Sequence, residues 1–452
     1  MARVQEPTLS PASFDRHLLH YGRDFLPKLI VRAEGSYLFT EDDREILDFS
    51  SGQMCATIGH SHPKIVEAMA RAGQTVIHLD STMLAPDVID LVDRLCDLLP
   101  QPLGKVQLLN TGGEANEAAL RLAKIATGRF EIIAMAGSWH GTTTGAASAT
   151  YAHGRKKYGP AMPGSLAIPS PNCYRCPIRH CVDQCDMTCL EAGFDMIDVT
   201  SVGEEAAVIV EPIQSAGGIV VPPQGYLGRL RELCDQRGIL LILDEAQTGL
   251  GRVGELFAFE SDGVIPDILT LSKTLGGGLP LSAVVASDGV AETARERGFS
   301  HYTSHASDPF TATVGLAVVE VILGEKLTER AAVVGQYLKD RLCELQCRHD
   351  AIGDVRGRGL LLGVEIVADR TTRQPGHTLI KALTERCFAL GLNINRVGGP
   401  HSVWRLAPPL TISLDEVDQA IDIMDQAFKQ TSPTTRPRSR VDRDCKRVLG
   451  CP

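Results

Sequence analysis

No apolar run in this chain approaches the roughly 20 residues that a membrane-spanning helix requires, although 44% of its 452 residues are hydrophobic. Membrane insertion is therefore not expected. The segment Met1 to Ser13 has neither the apolar core of a secretory leader nor an arginine-rich transit pattern, and a cytoplasmic location is the expectation. Thirteen cysteines in that compartment should be mostly reduced. An excess of positive charge is also missing: 45 basic residues against 55 acidic ones leave a net charge of -10. That disfavours binding to a phosphate backbone, so nucleic acid is not an expected partner. Tryptophan occurs only twice, which makes Trp139 conspicuous.

A chain of this length can bury a large core and should contain more than one domain. Strand-like runs alternate with helical ones, the pattern of a mostly parallel α/β sheet. The expected strands are Val106 to Leu109, Ile132 to Ala134, Ala207 to Val210, Leu240 to Leu243, Ile268 to Leu271 and Ala283 to Val285. Val88, Ile89, Leu91, Val92, Leu95, Leu98 and Leu99 fall at helical spacing after Pro86-Asp87. A helix from about Thr328 leads into a separate carboxyl-terminal region, with a strand at Leu360 to Ile366 and a closing helix at Leu414 to Phe428. The expected organisation is an N-terminal segment (1–60), a large domain (61–325), a small α+β domain (326–430) and a disordered proline- and charge-rich tail (431–452).

The informative stretch is Leu240-Leu-Ile-Leu-Asp-Glu-Ala-Gln-Thr-Gly-Leu-Gly-Arg252, followed by Pro266-Asp-Ile-Leu-Thr-Leu-Ser-Lys-Thr-Leu-Gly-Gly-Gly-Leu-Pro280. Each half is an apolar strand that ends in polar groups. An acid and a lysine at the carboxyl ends of neighbouring strands are what a pyridoxal phosphate site needs. Lys273 would condense with the cofactor aldehyde, which requires an amine far less basic than an exposed lysine. Asp244 would keep the pyridine nitrogen protonated, so that the ring accepts electrons from a bond breaking at the substrate α-carbon. Thr111-Gly-Gly-Glu114 follows a strand and opens a helix that runs to about Ala126 and ends at Gly128. Thr111, Gly112 and Gly113 there would suit an anion at a helix start, although taken alone the turn reads first as a plain strand-to-helix turn with a Thr cap.

Taken together, these segments resemble the class III aminotransferases of the fold-type I pyridoxal phosphate enzymes, from about Leu18 to about Phe428. Within that family the resemblance is strongest to the 2,2-dialkylglycine decarboxylase branch. It rests on Asp48-Phe-Ser-Ser-Gly-Gln-Met54, Ser138-Trp-His-Gly141, Asp244-Glu-Ala-Gln-Thr248, Leu269-Thr-Leu-Ser-Lys-Thr-Leu275, Ser304-His-Ala-Ser-Asp-Pro309, the run Gly353 to Ile366, and Trp404-Arg-Leu-Ala-Pro-Pro-Leu-Thr411. The implied fold is a large domain with a mostly parallel seven-stranded sheet plus a smaller α+β C-terminal domain. A homodimer or homotetramer acting on small amino acids and 2-oxo acids is the implied assembly.

The resemblance also implies roles. Trp139 would stack on the pyridine ring, where the plain alternative is a core tryptophan. Gln247 would sit beside the ring's phenolic oxygen, where the plain alternative is a solvated loop amide. Ser304 would join Thr111, Gly112 and Gly113 in holding the cofactor. Arg405 would take a substrate carboxylate through its planar fork. Gln53 would hold the carboxylate that is lost perpendicular to the ring, favouring release of carbon dioxide over loss of a proton, and Lys273 would then carry the proton. Ala216 and Thr142 replace a serine and a methionine of the decarboxylase pattern. Both should line the pocket and alter which substituents fit.

For metals, the resemblance implies a potassium or sodium ion held by oxygens of Leu79, Ser81, Ser304, Ala306 and Asp308. A second surface site at Cys96, Leu99, Pro100 and Leu103 should be weak or absent, because Leu99 supplies no side-chain oxygen. Cys173, Cys176, Cys181, Cys185 and Cys189 crowd one segment, as zinc ligands can. Their x4 and x3 gaps lack paired knuckles, and free thiols or a structural loop are preferred there over zinc. His60, His62 and His140 read as local loop or packing residues. The expected activity is decarboxylation of a 2,2-dialkylglycine such as 2-aminoisobutyrate coupled to amination of pyruvate to alanine. The alternatives are an aminotransferase that does not decarboxylate, a relative that builds α,α-disubstituted amino acids, and a structural relative with a degraded site.

Overall fold

The computed structural model describes residues 28–431 except 153–154, 156–157, 177 and 179–184, together with 17–19, 22, 25 and 26. Residues 432–452 of the expected tail, and Cys181, lie outside the described residues, while Thr431 ends a helix. The central sheet has seven strands in the spatial order Leu103–Leu109, Ser282–Ser287, Ile268–Leu271, Leu240–Asp244, Glu205–Val210, Glu131–Met135 and Ser165–Ile168. Neighbours pair in parallel except around Ser282–Ser287, which runs antiparallel to both of its partners. Strands such as Leu240–Asp244 and Ile268–Leu271 are buried almost throughout, because helices cover both faces of such a sheet. All six expected strands are present. Ser165–Ile168 is the addition, a short edge strand with only one fully buried residue.

The helices follow their sequence signals. Pro86–Leu98 buries Val88, Leu91 and Leu95, the inward stripe that the spacing predicted. Gly112–Thr127 packs on the sheet through Ala115, Ala118, Ala119 and Ala123, small residues that allow close approach, and ends at Gly128 with φ +74°. In a left-handed turn of that kind glycine carries no side-chain penalty. Leu327–Arg348 and His377–Ala389 pack on the C-terminal sheet, and Leu414–Thr431 packs against both of these helices. That sheet is antiparallel and built from Ile352–Arg358, Leu361–Asp369, Val403–Leu406 and Asn395–Val397, with Gln374–Pro375 on its side.

Ile30–Glu34, Tyr37–Thr40 and Glu45–Asp48 form an antiparallel sheet that Leu392–Asn393 extends in parallel, with Leu392 opposite Leu47. A strand from the C-terminal part of the chain therefore joins the N-terminal strands in one sheet. Ala407 N–H donates to Phe49 O at 2.8 Å and the Ser51 hydroxyl donates to Ala407 O at 2.7 Å. These bonds bring the turn carrying Gln53 beside the strand carrying Arg405. No helix among the described residues is long and apolar enough to cross a membrane.

Candidate active site

Asp244 ends its strand in register with Thr270 on the neighbouring one, and Lys273 follows Thr270 by three residues. Both groups thus emerge at the carboxyl ends of adjacent parallel strands, where α/β sheets bind ligands. Asp244 is buried, 4% exposed, and sits in a cage of donors. Its Oδ2 accepts from Asn116 Nδ2 at 2.7 Å and lies 2.8 Å from His140 Nδ1. Its Oδ1 accepts from Ala246 N–H at 3.1 Å and lies 3.3 Å from the Thr270 hydroxyl. Burial pushes this carboxyl up, but the His140 bond and charge, the nearby Lys273 and the Ala246 N–H outweigh it and hold it below the usual value. It is a charged group in the interior.

Lys273 has φ +45°, an uncommon conformation for a non-glycine residue and one that functional sites often retain. Surrounding protein pulls its amine below the ordinary lysine value, and the positive charge of Arg405 adds to that, while Asp244, Cys55 and Glu211 act against it. An amine of lowered basicity is more readily available as a nucleophile than that of an exposed lysine. The Thr274 hydroxyl lies 2.9 Å from that of Thr57, which ties the lysine turn to the segment following Gln53.

The anion cradle takes shape at the start of Gly112–Thr127. The Thr111 hydroxyl caps the helix by accepting from Glu114 N–H at 3.3 Å, and Glu114 Oε2 accepts from Asn110 N–H at 3.0 Å. The first helical N–H groups lack intrahelical acceptors. A Cβ on Gly112 would lie 3.3 Å from Ser272 Cβ, and one on Gly141, at φ +135°, would lie 2.5 Å from Gly113 Cα. The approach of Gly141 to the Gly113 backbone admits no side chain, and an anion can approach the amides there.

Trp139 is partly exposed and meets Tyr158 edge to face at 6.0 Å. The core tryptophan of this chain is Trp404, with 0% exposure. Trp139 N–H donates to Glu211 Oε1 at 2.9 Å, and Ser215 N–H donates to Glu211 Oε2 at 3.1 Å. Burial pushes the Glu211 carboxyl up to about 7, with the charge of Asp244 adding to the rise and His140 and the two N–H groups opposing it. Gln247 is buried and its Oε1 accepts from Arg405 Nη1 at 3.0 Å, so it is no solvated loop amide. Arg405 also lies 3.5 Å from the Ser215 hydroxyl, next to Ala216.

Gln53 occupies a short irregular turn in which Ser51, Gly52 and Met54 have positive φ. Its side chain is exposed, and Cys55, two residues on, is close enough to Lys273 and Arg405 for their charges to act on its thiol. Thr142 is exposed, with its backbone against Gly113. Ser304 is exposed in the loop before Asp308. The structure therefore gathers Lys273, Asp244, Gln247, Arg405, Trp139 and the Thr111–Gly113 turn, with Gln53 at the rim, and leaves Ser304 on a separate loop.

Three contributors escaped the sequence reading. Asn116 lies on an otherwise apolar helix face, and that lone polar residue was the available signal. Glu211 and Ser215 stand in Glu211-Pro-Ile-Gln-Ser215, where only Ala216 drew notice. His140 packs locally as expected, but it also holds the charge of Asp244, and its Nε2 is buried without a hydrogen-bond partner.

The profile for "Aminotransferase class-III" matches residues 20–428. An uncharacterised aminotransferase of Schizosaccharomyces pombe is 46% identical over 94% of this chain and 96% of its own length. The chain belongs to the class III aminotransferases. A leucine/methionine racemase of Thermococcus litoralis is 35% identical over 89% of this chain and 91% of its own. The structure of an (S)-enantioselective omega-transaminase from Thermomicrobium roseum superposes with a TM-score of 0.87 at 32% identity, covering 93% of this chain and 98% of that one. Family membership implies pyridoxal phosphate, and the residues fit it: Lys273 for the aldehyde, Asp244 for the ring nitrogen and the Thr111–Gly113 turn for the phosphate. Once bound, the cofactor supplies the electron sink.

The residues expected around an alkali ion are spread between two loops. Leu79 and Ala306 are partly and fully buried, but Ser81 and Ser304 are exposed, and both oxygens of Asp308 are engaged by imidazoles. His78 Nδ1 lies 2.6 Å from Oδ1 and His305 Nδ1 lies 2.5 Å from Oδ2. At the second expected ion site, the Cys96 thiol faces Gly104 O at 3.6 Å.

Proposed function

We propose that this class III aminotransferase moves an amino group between an α-amino acid and a 2-oxo acid such as pyruvate, with the substrate carboxylate held by Arg405. The observation that carries this reading is the buried Arg405 beside Lys273, with its Nη1 turned to Gln247 and Ser215. Both of these bonds run from Nη1, to a neutral amide and to a hydroxyl. An incoming carboxylate gains a charge-assisted, two-pronged partner. Lys273, less basic than usual, then moves the proton at the substrate α-carbon, while Asp244 keeps the negative charge that the ring nitrogen requires. Glu211 positions Trp139 and Ser215 through their N–H groups, which keeps the ring-stacking surface and the carboxylate pocket in one frame.

Decarboxylation of a 2,2-dialkylglycine is the second reading, and the turn that presents Gln53 beside Cys55 favours it. A donor at that rim can turn a substrate carboxylate out of the ring plane and so select which bond breaks. Incubation of the holoenzyme with pyruvate and either 2-aminoisobutyrate or an amino acid bearing an α-hydrogen separates the readings. Alanine formed from the second donor without carbon dioxide supports amino transfer alone; carbon dioxide and alanine in equal amounts from 2-aminoisobutyrate support coupled decarboxylation. Alanine from neither donor sinks both.

A further inference from the structure

We propose that His78, His305 and Asp308 form a site for a divalent transition-metal ion of the zinc, cobalt or nickel type, in place of an alkali ion. Among the described residues these three are the one group of histidine, cysteine and carboxylate side chains whose donor atoms all lie within 4.8 Å of one another. The two rings stand 4.9 Å apart, tilted by 47°, and both turn Nδ1 toward the same carboxylate. Two imidazoles and one carboxylate on one side of a point are a ligand set that leaves the other positions to water. The exposures match that division: the Asp308 side chain is 11% exposed, and those of His78 and His305 are 47% and 62% exposed.

Asp308 is the N-cap residue of the helix Pro309–Gly324, yet its side chain makes no capping hydrogen bond. Aspartate at that position ordinarily accepts from the N–H groups of the first turn. Here both oxygens face imidazoles instead. Ser307 has φ +59° and its N–H donates to Leu108 O at 3.2 Å, which anchors the loop to the sheet edge and fixes the direction in which Asp308 leaves it. His78 comes from a different connection, between Pro63–Gln74 and Pro86–Leu98. Both of those helices pack against Pro309–Gly324. A bound ion would therefore clasp two loops across three packed helices.

The choice of ion follows from the donors. Imidazole nitrogen is a poor ligand for potassium or sodium, which take hard oxygens, and a good one for zinc, cobalt and nickel. Binding replaces the shared proton between each Nδ1 and its carboxylate oxygen with the cation. It competes with protonation of the rings and weakens at acid pH.

The test uses chelator-treated holoenzyme, dialysed against cobalt or zinc, with the bound metal counted and thermal unfolding recorded. The same measurements are made on the His78→Gln, His305→Gln and double variants, which keep polarity without the imidazole. Cysteine-bound metal is common to all four proteins and cancels in the difference. The wild type should hold one more ion per chain than the double variant, each single variant should bind about tenfold or more weakly, and only the wild type should gain melting temperature from this ion. Equal stoichiometry and equal stabilisation in the wild type and the double variant overturn the proposal. So does stabilisation by potassium where zinc and cobalt give none. Retained circular dichroism and cofactor absorption in the variants show that they fold.

Discussion

At the scale of single residues, the question is how a carboxylate as buried as Asp244 remains charged. Four donors on its two oxygens answer it, and His140 is the one that contributes both a bond and a charge. Replacement by His140→Gln removes that charge while leaving a polar group. Turnover should then fall on the order of 10²-fold, as for loss of one preorganised electrostatic partner, with the cofactor still bound by absorption. Unchanged turnover would assign the charge of Asp244 to Lys273 and the remaining donors Asn116, Ala246 and Thr270. Lys273→Ala should abolish both turnover and the visible absorption of the attached cofactor while circular dichroism is retained, since the amine is both anchor and proton carrier. An active Lys273→Ala enzyme would remove the basis of the site. Lys273 and Asp244 were legible because each closes an apolar strand. Asn116 and Glu211 were not, because their partners are remote in sequence and only the fold brings them together.

At the scale of elements, the glycine turn and the strand ends make their own demands. Gly141 approaches Gly113 so closely that a Cβ would sit 2.5 Å from backbone, and its φ of +135° excludes other residues at low cost. Gly141→Ala should therefore displace the Thr111–Gly113 turn and raise the dissociation constant for pyridoxal phosphate, read by titration of the cofactor-free protein, with smaller loss of thermal stability. The strand-to-loop transition after Asp244 contains Glu245, fully buried, whose oxygens accept from Ala258 and Phe259 N–H at 2.8 and 3.0 Å and from the Thr248 hydroxyl at 3.0 Å. Burial still wins and pushes its carboxyl up to about 7 from 4.5. With the folded value raised, the stability associated with this group is full below about pH 4.5 and is lost as pH rises through 7; the difference is about 3 kcal/mol. Melting temperatures measured from pH 5 to pH 8 should show a downward component that Glu245→Gln lacks. An identical slope in that variant would mean that Glu245 is ionised throughout. The buried strands were readable from composition, whereas Ser165–Ile168 was not, since an edge strand with three partly or fully exposed residues carries little apolar signal.

At the scale of the whole molecule, the site is assembled from both ends of the chain. Arg405 arrives on the C-terminal sheet and Gln53 on a turn that the N-terminal sheet supports, joined by the bonds of Ala407 to Phe49 and Ser51. The fully buried Arg252, on the loop after Asp244, donates to Leu360 O and Pro408 O and so ties the central domain to the same sheet. The sequence supplied the ingredients of this arrangement, including Gln53 and Arg405, through family resemblance. Their proximity comes from the pairing of Leu392–Asn393 with Glu45–Asp48, a contact between strands so far apart that local periodicity could not reveal it. Because Gln53 and Arg405 reach the pocket on separate supports, they can be separated by mutation. Gln53→Ala leaves Arg405 and its partners Gln247 and Ser215 in place, so the amination of pyruvate from alanine-type donors should change little. Any carbon dioxide release from 2-aminoisobutyrate should fall on the order of 10²-fold, the usual loss when one oriented donor is removed, because the departing carboxylate is no longer held out of the ring plane. The two half-reactions are measured by single-turnover absorption and by trapped carbon dioxide. If they decline in parallel, Gln53 shapes the pocket generally and does not choose the bond that breaks. If only carbon dioxide release declines, bond selection resides in the turn at Ser51 to Met54, and amino transfer resides in the frame around Lys273, Asp244 and Arg405.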